Sequence, residues 1–360
     1  MKSGGFDQHP IPTPALNSSD SSNTVPFNRQ PPLPLNRTLA LSNAYEWFFI
    51  LLGGLPLFLP LIFFIGERNL GANNPVQWYL WMHMTTSAPH VYLGYIRLQR
   101  KIKEGAISPL LGWPIFGLFM AILYASARDN SYLYLMTLVN VIQSFHYLRQ
   151  VFGIHRLYSK DDSEMEKRLA YWAFHLAMPF FVLGRWHLLY IVWNGQPSDV
   201  IYPVAFPAFL MTSLGVLAIF GLGLGLFTEW RVAKRIGHWR AKTVANLGIY
   251  FAIHTYGFLI ESHYQRGFMA ITIFHAIQYL TLSWKMEGRR GWVGTLNGPM
   301  PAGIGLTLFW LLGIGLGYGV SSATLMLNSF HIYLGTAFLS AFSIHHYLID
   351  ALLWKRRAGA

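Results

Sequence analysis

The chain of 360 residues is 53% hydrophobic and only 12% charged, whereas an ordinary soluble domain carries about 25% charged residues. Most of its surface therefore faces something other than water, and lipid is the simplest such medium. Lys and Arg outnumber Asp and Glu by 27 to 15, but the cations sit in short stretches between apolar runs, which suits membrane topology and anionic headgroups and speaks against nucleic acid. The absence of cysteine excludes disulfides, thiolate metal sites, iron–sulfur clusters and cysteine nucleophiles.

Residues 1–40 are rich in Pro, Ser and Asn and poor in large apolar residues. Such a segment cannot bury a core, and it reads as a disordered cytoplasmic tail with no apolar stretch of the kind a cleavable signal peptide needs. Ten apolar segments follow, at 44–66, 76–96, 108–127, 131–155, 168–193, 203–228, 244–263, 266–285, 300–319 and 322–354. A hydrocarbon core about 30 Å thick takes about 20 helical residues to cross. The expected fold is therefore all-α: a polytopic bundle of ten transmembrane helices over 41–355, ending in a short basic tail at 356–360.

The cations alternate. Arg97, Arg100, Lys101 and Lys103 follow the second segment, and Arg156, Lys160, Lys167 and Arg168 flank the end of the fourth. Arg231, Lys234, Arg235, Arg240 and Lys242 follow the sixth; Lys285, Arg289 and Arg290 follow the eighth; Lys355, Arg356 and Arg357 follow the last. The intervening connections hold only Arg68, Arg128 and Arg266. Basic loops stay on the cytoplasmic side, so the pattern predicts a multi-pass integral membrane protein with both termini in the cytoplasm, in the inner membrane if the source is bacterial.

Fourteen histidines are many for such a chain, and most fall within the apolar segments. Ionisable groups at membrane depth are costly and tend to mark a site. His90, His146, His275 and His345 each stand ten residues before a cation at the cytoplasmic end of a helix, about 15 Å along its axis. His175 and His254, on helices running the other way, fall in the same layer. Polar stripes reinforce it: Asn140, Gln143, His146 and Gln150 at steps of three and four, His275 with Gln278, and His254 with Glu261. The final segment is densest, with His345, His346 and Tyr347 followed by Asp350. The predicted metal ligands are His90, His146, His175, His275, His345, His346 and Asp350. Gln143, Gln150, His254, Glu261, Gln278 and His331 are expected in supporting roles.

Gathering many histidines at one end of membrane helices resembles, in kind, the membrane histidine-box desaturases and hydroxylases. Their boxes, H-x₃₋₄-H and H-x₂₋₃-H-H, do not occur here, and only the His345-His346 doublet has a counterpart. Neutral imidazoles with a carboxylate suit iron, as one ion or a pair, or zinc. The leading expectation is a metal-dependent oxidoreductase acting on a lipid, isoprenoid or other hydrophobic small molecule, served by an electron donor. The alternatives are a membrane protein with a His-ligated haem or chlorin for electron transfer and a proton-coupled transporter. The alternation of charge has a direct consequence. Reporter fusions at Glu104, Ser163, His238 and Gly288 should report the cytoplasm, and fusions at Asp129 and Pro197 the opposite side; two reversed sites would overturn the topology.

Overall fold

The computed structural model describes residues 46–53, 88–128, 131–198, 201–262, 264–283, 302–331 and 333–353. The expected tails at 1–40 and 356–360 lie outside these, as does most of the first predicted segment. All regular structure among the described residues is helical. A π-helical turn, Glu46–Leu51, precedes α1 (Ala88–Lys103), α2 (Trp113–Arg128), α3 (Tyr132–Tyr158), α4 (Glu164–Val192) and α5 (Ala208–Ile236). Then come α6 (Ala241–His254), which continues as a π-helical segment Thr255–Ile260, α7 (Tyr264–Ser283), α8 (Ala302–Phe330) and α9 (Leu334–Leu353).

Local chemistry sets several boundaries. α4 begins in a capping box, where Ser163 Oγ accepts from the Glu166 amide and the Glu166 carboxylate accepts from the Ser163 amide. Two of the four orphan donors of a helix N-terminus are thereby satisfied. α5 ends where Gly237 turns left-handed at φ +83°, a conformation that a Cβ disfavours.

Two sequence boundaries need correction. α1 runs on to Lys103, so Arg97, Arg100, Lys101 and Lys103 are helical rather than in a loop, and Arg97 is buried. The break between the last two segments falls near His331, not near residue 320, because α8 continues through its Gly- and Ser-rich stretch to Phe330. Glycine and serine read as breakers in a soluble sequence, yet membrane helices accept them where neighbours approach closely.

Among the described residues, five helical stretches are long and apolar enough to cross a membrane: Pro109–Arg128, Glu164–Val192, Ala208–Ile236, Ala241–Ile260 and Trp310–Phe330. They belong to α2, α4, α5, α6 and α8. The other four helices are α1, α3, α7 and α9. α7 is the most enclosed of these: from Met269 to Ser283 every residue but Ile277 is buried.

Among the described residues, most of the apolar interior falls into two cores. The larger joins Tyr147, Leu148 and Val151 of α3 to Phe174 and Phe181 of α4, Leu247 and Tyr250 of α6, and Ile271 and Phe274 of α7. α5 seats on α4 through Gly221, where an added Cβ would come within 2.7 Å of the Ala173 carbonyl. The smaller core joins Tyr92, Tyr95 and Leu98 of α1, Phe116 and Leu123 of α2, and Ala341, Phe342 and Ile349 of α9. α1 and α9 of the smaller core meet α3 and α7 of the larger one.

One end of the larger core is pinned by ion pairs. Arg240, between α5 and α6, donates to Asp162 and to both carboxylate oxygens of Glu229. Arg235 donates to Glu166, and Thr243 Oγ1 to Glu229. Lys242 and Tyr158 both donate to Glu46, tying the π-helical turn to the same end. Burial opposes the charge on Arg240, but its hydrogen bonds to Asp162 and Glu229, and their negative charges, hold the guanidinium above its ordinary range. Two of the basic connections predicted to share a side, those following α3 and α5, are thus joined. Removing one partner of such a buried group strands charge in a low dielectric. Arg240→Met should destabilise the protein by about 3–5 kcal/mol, read as thermal unfolding in detergent. Glu164→Gln, which loses only an exposed pair with Lys167, should change stability by less than about 1 kcal/mol.

Candidate metal centre

Where the two cores meet, four imidazoles and one carboxylate converge. His90 comes from α1, His146 from α3, His275 from α7, and His346 with Asp350 from α9. Each stands on a helix face that cannot point to an apolar medium without losing its hydrogen bonds. His146 Nε2 is 3.2 Å from His275 Nε2 and 3.6 Å from Asp350 Oδ2. His346 Nε2 lies 3.8 Å from the same carboxylate oxygen, as the four-residue step along α9 requires. The rings pack edge to face, His90 lying 5.0 Å from His275 and 4.9 Å from His346 between centroids, and His146 4.7 Å from His275.

The separations of 3.6 and 3.8 Å from Asp350 Oδ2 match those between ligands of a shared cation. Two donors about 2.1 Å from one ion in tetrahedral geometry stand about 3.4 Å apart. The five residues form two groups, His90–His275–His346 and His146–His346–Asp350, each with ligand atoms all within 4.8 Å of one another. Neither ring nitrogen of His346, nor Nδ1 of His275, has a hydrogen-bond partner among the described residues. Buried polar atoms are normally satisfied, and a bound cation would satisfy these.

A polar and aromatic surround fixes the rings. Gln150 of α3 donates to the His275 carbonyl at 2.9 Å and approaches Gln278 Oε1 at 3.4 Å. Gln278 in turn donates to the Ile50 carbonyl at 2.7 Å. Gln143 donates to the Tyr147 hydroxyl, which meets Thr272 Oγ1 at 2.9 Å. Tyr147 packs on His275, Tyr347 on His146, and Tyr279 against His90 and His346. Tyr147, Thr272 and Tyr279 were not foreseen. For Tyr147 and Tyr279 a signal was present in the four-residue steps Gln143–Tyr147 and His275–Tyr279.

The remaining predicted residues lie elsewhere. His345 points away from the cluster: its Nδ1 accepts from the Tyr95 hydroxyl at 2.9 Å and its Nε2 donates to the Leu111 carbonyl at 2.7 Å. Both nitrogens are thereby engaged in tying α9 to α1 and to the turn before α2. His175 sits on the outer side of α4, stacked on Tyr171 with Nδ1 on that residue's carbonyl. His254 is buried, but its Nδ1 donates to the Tyr250 carbonyl at 2.6 Å. Glu261 does not share an α-helical face with His254, because the π-helical segment intervenes and changes the number of residues per turn. Its carbonyl accepts from Arg185 at 2.6 Å. His331 is exposed at the end of α8, beside Tyr124 and Tyr333.

No protein-family model, curated protein or solved structure matches this chain.

His345 thus reads as a structural tie. In His345→Phe the Tyr95 hydroxyl and the Leu111 carbonyl would each lose a partner, at about 1–3 kcal/mol apiece. A clear fall in the unfolding temperature, with the metal content of the folded fraction unchanged, is the expected result.

Proposed function

We propose that the protein is a multi-pass integral membrane metalloenzyme, an oxidoreductase of the desaturase or hydroxylase kind, whose metal is held by His90, His146, His275, His346 and Asp350. The observation that carries this reading is the convergence of those five side chains from four helices, in a buried setting, at ligand-like separations. Iron suits a set of neutral imidazoles with one carboxylate, and zinc is the second choice. Iron there would supply redox chemistry, and zinc would supply Lewis acidity. The close edge-to-face packing of the imidazoles, with a carboxylate among them, favours a bare cation over a haem macrocycle, which needs a flat slot between facing ligands.

The chain's own contribution is orientation and exclusion of water. Gln150 anchors the backbone of α7 at His275, Asp350 lies against His146 and His346, and the Tyr147, Tyr279 and Tyr347 rings close around the imidazoles. His146 keeps a partly open edge, its side chain 11% exposed. Ile142 and Phe145, beside it on α3, are exposed. That strip favours a hydrophobic substrate arriving sideways from the bilayer, and oxidation of such a substrate would call for an electron donor. The charge alternation supports cytoplasmic termini.

Protein purified from membranes should carry stoichiometric iron or zinc. His275→Ala and His346→Ala should each lose half of it or more, while His175→Ala and His331→Ala should retain all of it. Wild-type protein that holds no metal would overturn the reading and leave the cluster as a proton relay. So would ligand variants that keep the full complement.

A further inference from the structure

His346 is the one residue common to both ligand groups. It is fully enclosed, and neither of its ring nitrogens has a hydrogen-bond partner among the described residues. The two nitrogens face different neighbours. Nε2 faces Asp350 Oδ2, 3.8 Å away, and the same oxygen is 3.6 Å from His146 Nε2. Nδ1 faces α1: a Cβ added at Gly94 would stand 3.5 Å from it and 3.1 Å from the Tyr279 hydroxyl. His90, one turn before Gly94 on that helix, packs its ring 4.9 Å from that of His346. A Cβ at Gly94 would thus touch the Nδ1 side of the ring at ordinary contact distance and press on the Tyr279 hydroxyl.

One cation does not account for this arrangement. Ligands of a single ion lie at most about 4.2 Å apart, twice a metal–nitrogen bond. The five residues satisfy a 4.8 Å limit only as two groups. An imidazole on one ion also uses a single nitrogen and commonly donates from the other to a carbonyl or carboxylate. His345, the adjacent residue, has both nitrogens hydrogen bonded. His346 has neither.

We propose that His346 bridges two cations as an imidazolate. Nδ1 binds one ion together with His90 and His275, and Nε2 binds the other together with His146 and Asp350. The proton of the neutral ring is displaced by the second ion and released to solvent. His275 serves the first ion through Nδ1, which has no hydrogen-bond partner among the described residues, since its Nε2 is turned toward His146. The inference rests on the metal-centre reading above and adds the number of ions and the bridging residue.

Copper(II) is a suitable probe because it binds nitrogen sites more tightly than the other divalent first-row metals. Full-length protein in detergent, stripped with chelator and reloaded with copper(II) alone, should hold two ions per chain. Their paramagnetic resonance should show the loss of signal that magnetic coupling through a shared imidazolate produces. His90→Ala and His146→Ala should each keep one ion and regain the signal of isolated copper(II). His346→Ala should bind neither ion tightly. One ion per wild-type chain would overturn the bridge but leave a mononuclear centre standing, and two ions without coupling would also overturn it. No bound copper would overturn the metal centre itself. The decisive readings are on wild-type protein, so a variant that fails to fold does not obscure the answer.

Discussion

The structure depends on one constraint: a polar side chain removed from water must find its partner inside the protein. Several helices carry long apolar stretches, and others carry polar residues that cannot enter an apolar medium unpaired. The outcome is a division of labour. α2, α4, α5, α6 and α8 contain the stretches apolar enough to cross a membrane. α1, α3, α7 and α9 turn His90, His146, His275, His346 and Asp350 toward one another. The site is thus the place where the polar faces of four helices are reconciled.

Its position follows from how the apolar residues divide. Neither core alone encloses the cluster; α1 and α9 bring three of its residues from one core, and α3 and α7 bring the other two from the other. The same helices carry the outer restraints. Nine residues beyond His146 on α3, His155 is buried 3.8 Å from Glu229, beside the ion pairs of Arg240 with Asp162 and Glu229. On α9, His345 ties that helix to α1 and to the turn before α2. Ligands mounted on helices restrained at other points hold their geometry better than ligands on loops. A constellation spread over four helices requires that precision.

The histidine doublet shows how two adjacent residues come to do unlike work. Successive residues on a helix point about 100° apart, so only one of His345 and His346 can face α3 and α7. The other faces α1 and α2, where a tyrosine hydroxyl and a backbone carbonyl occupy both of its nitrogens. Similar physics separates His254 from Glu261. Their spacing of seven places both on one face only if the helix stays regular, and the π-helical segment from Thr255 to Ile260 breaks that regularity.

The sequence by itself determined the helical class, since apolar runs of membrane-spanning length admit few other folds. It also determined the polar stripe from Asn140 to Gln150 and the pairing of His346 with Asp350, because both are properties of a single helix. All five residues of the cluster were therefore legible as candidates. Only the tertiary structure decided that His90, His146, His275 and His346 meet while His175, His254, His331 and His345 do not. Spacing along a helix establishes which side chains share a face; what that face meets depends on how helices distant in sequence pack, and no local pattern encodes that. The same limit explains Tyr279 and Gly94, an enclosing ring and a close approach, whose importance exists only where α1, α7 and α9 come together.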